Sequence, residues 1–184
     1  MKARPVQLFL RVSVLFAWSC FAEASDSKIY ALKFSDVDGN QISTTDGHVT
    51  VLAFVTSADS DKAQLVGDRI PDFCLGDSAH YRMVTVVEAK PHAAPIRHAF
   101  ESVARHRLDA AAKKLQARYD SRKISRTARQ DVFAVIDFGG SIAANFASQS
   151  DVENFRVVVL GPAGELRHEW TEVPTAEQLA SALK

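Results

Sequence analysis

Two cysteines, six histidines and the run Asp59-Ser60-Asp61-Lys62 are the residues of this 184-residue chain whose types could support chemistry. Thiol chemistry runs through the thiolate, which needs access to solvent and a stabilising positive field. Cys20 lies in an apolar N-terminal run, so Cys74 is the only thiol in the remainder, and no internal disulfide can close there. Cys74 falls on a helical stripe with Val66, Ile70 and Phe73, close to where Pro71 should kink or end the helix. A helix C-terminus disfavours a thiolate, so the pattern predicts a structural thiol over a redox-sensing or mixed-disulfide one. Asp59, Ser60, Asp61 and Lys62 could form a polar site. Their spacing equally suits helix N-capping plus an i,i+3 ion pair between Asp59 and Lys62, and we favour that assignment. His80, His92, His98 and His106 do not recur at the i,i+4 spacing of a helical metal site, so neither a metal nor another cofactor is expected. Thr56 and Ser57 lack a G-x-S-x-G setting, which argues against a serine hydrolase.

Charge offers a second kind of chemistry. The whole chain is formally neutral, but between Arg97 and Arg129 there are ten basic and three acidic residues. A local surplus of this size can attract an acidic protein or an anionic envelope surface. Arg97, Arg105, Lys113, Lys114 and Arg118 are the candidate partner-binding residues. No aromatic residues interleave with them to stack bases, so nucleic acid is not expected as a partner.

These residues need elements to position them. Ile29 to Phe34 and Gln41 to Thr44 form a predicted hairpin around the turn Asp36-Val37-Asp38-Gly39-Asn40. His48 to Val55 is nearly unbroken apolar sequence, which predicts a strand buried on both faces. A helix follows, with Ser57, Asp59 and Ser60 as candidate caps. Tyr81 to Val87 is the next strand. Phe100, Ala104, Leu108, Ala111, Leu115 and Tyr119 then mark an amphipathic helix from Ile96 to about Tyr119. Ser121 to Gln130 reads as a solvated connection. Val132 to Ile136 is a strand, Ser141 to Ala147 a short helical turn, and Phe155 to Leu160 another buried strand. Gly161-Pro162-Ala163-Gly164 turns the chain into Glu165 to Trp170. Thr175 and Gln178 have capping-box spacing for a last helix. Strands alternating with helices imply an α/β domain with a mainly parallel sheet, and the closing hairpin and helix imply an antiparallel edge.

This order resembles the thioredoxin-like superfamily, in particular its exported peroxiredoxin-like (AhpC/TSA-like) or YtfJ-like branches. Three pieces carry the resemblance: Phe34 to Ile42 with its D-x-x-G turn, Val49 to Phe54, and Val135 to Gly140 followed by Phe155 to Leu166. The resemblance implies a central mixed sheet with helices on both faces, an N-terminal β-hairpin, and a C-terminal hairpin plus helix. It also implies that redox-active relatives carry two cysteines where the helix after the main strand begins. Counted from Phe54, those positions hold Asp59 and Lys62 here, within one residue. Peroxiredoxins place threonine and the reactive cysteine at these two positions, and neither pattern is present. The family's cis-proline before the strand at Phe155 is also missing, since Asp151-Val152-Glu153-Asn154 stands there. The resemblance thus implies a degenerate redox site and a non-catalytic role in protein binding or as a scaffold. The alternative is a peroxiredoxin-like antioxidant or oxidoreductase using Cys74.

Residues 1–24 read as a secretory signal. Lys2, Arg4 and Arg11 precede the apolar run Val12 to Ala22, and Ala22-Glu23-Ala24 supplies small residues for cleavage after Ala24. Acylation of Cys20 as a lipoprotein, or retention as an uncleaved anchor, are the alternatives. Residues 25–184 are then one domain in the periplasm or outside the cell, with no membrane-crossing segment once the signal is removed.

Overall fold

In the computed structural model, residues 28–56, 58–90, 93–146 and 155–184 are described. The predicted signal, Ser57, His92 and Asp151 to Asn154 fall outside these residues.

The main strand is β3 (Val49–Val55), and all seven of its residues are buried. Its β-branched and apolar side chains supply both faces of a sheet whose order is β5-β4-β3-β6-β7. β4 (Tyr81–Ala89) and β5 (Val132–Phe138) run parallel to β3 on one side. β6 (Arg156–Leu160) and β7 (Leu166–Trp170) are antiparallel on the other. A separate hairpin, β1 (Lys33–Ser35) and β2 (Gln41–Ser43), precedes them. Its turn is held by Asp36, whose carboxylate accepts from the backbone N–H groups of Asp38 and Asn40 at 2.9 and 2.7 Å.

The pleat sorts the core into two faces. On one, Val51, Ala53, Val157 and Val159 pack with Val66 of α1 (Ser60–Asp68) and Leu179 of α3 (Ala176–Ala182). The long helix α2 (Ala94–Ser121) lies along β5 on the same side, with Leu108 against Ala134. On the other face, Leu52, Phe54, Val84, Val86 and Val158 are covered by the N-terminal hairpin and by the short 3-10 turn Ala143–Asn145. The helical cover on that second face is therefore one turn among the described residues, and the hairpin does most of the shielding. Helix α3 starts with the predicted capping box: Thr175 Oγ1 accepts from Gln178 N at 3.2 Å, and Thr175 N donates to Gln178 Oε1 at 2.7 Å.

Gly164 closes the β6–β7 turn at φ +82°, and a Cβ there would lie 2.8 Å from the Tyr30 carbonyl oxygen. Only glycine fits both the backbone angle and that approach.

Two expectations need correction. The stripe expected to run from Val66 through Ile70, Phe73 and Cys74 breaks, because α1 ends at Asp68. Pro71, with no N–H to continue the helix, takes an extended conformation (φ −62°, ψ 150°) and starts a separate 3-10 turn, Asp72–Cys74. Cys74 is buried there, while Phe73 is 44% exposed and meets the edge of Tyr81 at 5.9 Å. The segment Ser121 to Gln130 is also more than a solvated connection. It contains the start of a 3-10 turn, Ala128–Asp131, with Ala128 fully buried and Arg126 and Arg129 in ion pairs.

Candidate functional site

The surface where the resemblance would place redox chemistry is built by the end of β3 and the start of α1. Asp59 occupies the N-cap position of α1, but its side chain makes no capping hydrogen bond. It instead accepts from the Thr56 hydroxyl at 3.1 Å and pairs with Lys62 Nζ at 2.8 Å. The expected i,i+3 ion pair is present, and it takes the carboxylate away from the helix N–H groups it was expected to cap. Lys62 also stands 5.1 Å over the ring of Phe155, at the foot of β6. One ammonium thereby links the start of α1 to the strand beside it. Hydrogen bonds from Lys62 and then Thr56 hold the Asp59 carboxyl below its ordinary pKa. The group is ionised and accepting, so it is poorly suited to donate a proton at neutral pH.

Cys74 lies past the far end of α1, a helix of nine residues and thus about 13 Å long. Its side chain is 8% exposed and is the free thiol among the described residues. Burial first, and the negative charge of Asp77 second, push the Cys74 thiol up to about 12. At neutral pH the protonated thiol, which is not the nucleophilic form, dominates.

The described histidines are dispersed. His80 Nδ1 is 2.8 Å from Asp77, His98 Nδ1 is 3.4 Å from Glu101, and His106 is exposed on α2. Among the described residues, no three His, Cys, Asp or Glu side chains converge as metal ligands.

The arginines of the basic stretch are largely engaged with the fold. Arg105 donates through Nε to the Val37 carbonyl at 2.8 Å. Arg118 donates to the carbonyls of Gly67 and Ile70 at 3.1 and 2.8 Å. Arg122 pairs with Asp72, Arg126 with Asp131, and Arg129 with both Asp38 and Asp109. Arg97 stacks over Phe138 at 5.0 Å. Lys113 and Lys114 are exposed on α2. The candidate residues are therefore not one continuous free face, because Arg105 and Arg118 serve as tethers. Sequence reasoning missed this, since their acceptors are backbone carbonyls 68 and about 50 residues away.

It also missed Arg156 and Asp137. Arg156 is buried, donates to the Phe146 carbonyl and pairs with Glu169 at 2.9 Å. Asp137 is buried and accepts from Ile142 N and Ala143 N at 2.8 and 2.9 Å, fixing the turn after β5. A charged residue inside an apolar strand was the available signal for each.

No protein-family profile matches the chain. No curated protein sequence matches it either. Solved structures do. A candidate protein disulfide isomerase from Bacteroides thetaiotaomicron aligns over 85% of this chain and 84% of its own, at 15% identity and a TM-score of 0.50. A candidate electron transfer protein from Aquifex aeolicus VF5 aligns over 85% of this chain and 94% of its own, at 13% identity and the same TM-score. StoA from Bacillus subtilis aligns over 86% of this chain and 99% of its own, at 16% identity and a TM-score of 0.48.

Proposed function

We propose that this chain, whose fold is thioredoxin-like, is an exported binding or scaffold domain that does not carry out thiol–disulfide exchange. The observation that carries this reading is the Asp59–Lys62 ion pair at the start of α1, where redox relatives present sulfur. Fold alone does not confer activity. The rival reading uses Cys74 as a peroxiredoxin-like thiol, and the burial and raised pKa of that group weigh against it. Export rests on the positively charged start, the apolar run and the Ala22-Glu23-Ala24 site.

The test is catalytic. Protein recovered after export is assayed for insulin-disulfide reduction and for peroxide consumption with dithiothreitol, beside Cys74→Ser. Both proteins are expected to show the same background rates. Turnover above background that disappears in Cys74→Ser would establish the enzyme reading instead.

The docking surface in this proposal is the outer face of α2, centred on Lys113 and Lys114, with an acidic protein or anionic envelope surface as partner. Converting both lysines to glutamine should lower capture of envelope partners by cross-linking while leaving the melting temperature within about 1 °C, because exposed charges contribute little to stability. Unchanged capture would reject this surface.

A further inference from the structure

A cavity of about 150 Å³ separates α1 and α2 from the sheet. Val51, Met83 and Val132 form its floor, Ile70 and Leu115 its walls, and Cys74 lies at one end. Gln64, Asp68 and Lys114, all exposed, also line it, so it reaches solvent. Native interiors leave few voids larger than a water molecule, and an apolar space of this volume accepts a ligand the size of benzene.

The polar groups inside the cavity are already engaged, and the exposed Gln64, Asp68 and Lys114 stand at its rim. The Tyr119 hydroxyl donates to Asp131 at 2.8 Å and accepts from Gly76 N at 3.2 Å. Arg118 is bound to two carbonyls, and Arg82 to Asp46 and Thr50. Among the described residues, no buried side-chain nitrogen or oxygen lacks a hydrogen-bond partner. The interior therefore offers nothing to compensate a charged ligand for its lost hydration.

A second observation concerns Gly67, the next-to-last residue of α1, which lines the cavity. Glycine at a position whose backbone suits alanine costs about 0.4–1 kcal/mol, with the lower end applying in a last helical turn. No positive φ requires it, and a Cβ would meet only Met83 Sδ, at an ordinary 3.7 Å. Neither backbone angle nor a close approach accounts for the glycine. Its missing side chain keeps the space open.

We infer that this cavity is a binding site for a small uncharged aromatic or alicyclic molecule, in the size range from benzene to indole. The site does not use the Asp59–Lys62 pair, and it shares only Lys114, at its rim, with the docking face on α2.

The full chain contains two methionines, Met1 and Met83, so methyl-labelled methionine gives a direct reporter at the cavity floor. Met83→Leu assigns the signal. Titration with toluene should shift the Met83 methyl resonance saturably and give an Overhauser contact between ring and methyl. In a Lys114→Gln background, which removes the ammonium at the rim, benzoate, of similar shape but charged, should bind at least tenfold more weakly than toluene. Gly67→Leu should reduce toluene affinity at least tenfold while the chain still melts cooperatively. If that variant does not fold, Ala111→Leu fills the cavity from the facing helix. A toluene titration with no saturable shift, equal affinity for toluene and benzoate in the Lys114→Gln background, or undiminished toluene binding in a folded, filled variant would each overturn the site.

Discussion

Gly67→Ala should stabilise the protein. Gly67 is the next-to-last residue of α1, so the backbone gain is about 0.4–0.8 kcal/mol, part of it from the reduced freedom of the unfolded chain. The added methyl enters space whose nearest neighbour is Met83 Sδ at 3.7 Å, so no steric cost offsets the gain. Partial burial of that methyl adds a few tenths of a kcal/mol, for a total of about 0.6–1.1 kcal/mol. The Gly67 carbonyl, which accepts from Arg118 Nη1 at 3.1 Å, does not move. For a domain of this size the gain corresponds to a rise in melting temperature of about 1–4 °C. Urea unfolding followed by circular dichroism should show a higher midpoint at constant m, since the surface exposed on unfolding hardly changes. An unchanged or lowered midpoint would mean that the helix needs this glycine for backbone or packing reasons, and the account of why the cavity stays open would fall with it.

Tyr119→Phe leaves Gly76 N–H and one oxygen of Asp131 without the phenolic partner, while Arg126 still holds that carboxylate. The expected loss is about 1–2 kcal/mol in urea unfolding, and no loss would mean that water replaces the hydroxyl. Acid stability should depend on Asp46. Burial alone would raise its pKa, but hydrogen bonds and charge from Arg82 and His48 outweigh burial and bring it down to about 2. The folded value lies below the unfolded one, so this stabilisation is complete above about pH 4 and is lost as pH falls towards 2. After allowance for a side chain one-third exposed, it amounts to about 1–1.5 kcal/mol. Melting temperature measured between pH 5 and 2 should therefore fall less steeply in Asp46→Asn than in the wild type, and parallel curves would refute the assignment.

Much of the fold was legible because its signals are local. The unbroken apolar run of β3, the Gly161–Gly164 turn and the Thr175/Gln178 box each depend on neighbours in sequence. The end of α1 was only half legible. Pro71 announces a break, yet Phe73 and Cys74 keep helical spacing from Val66 and Ile70, so periodicity extended the stripe beyond the helix. Periodicity records which residues face inward. It does not record whether the backbone between them stays helical. The cavity left no trace in the pattern at all, because a void is set by how α1, α2 and the sheet meet, and Gly67 by itself has several ordinary explanations.

The charge imbalance shows the same limit more sharply. A surplus of basic residues over Arg97–Arg129, set against an acidic remainder, looks in sequence like a field directed at a partner. In the folded chain much of that field closes on itself. Asp38, Asp72, Asp109 and Asp131 receive Arg122, Arg126 and Arg129, while Arg105 and Arg118 hold carbonyls of other segments. These contacts bind a long helix to a sheet edge and to the turns around it. An arginine can do both jobs, because its planar group bonds a carbonyl while its charge still satisfies a carboxylate. Composition along the chain measures how much charge a segment carries. Whether that charge is available to another molecule depends on contacts tens of residues away, and on α2 the exposed Arg107, Lys113 and Lys114 are where it remains so.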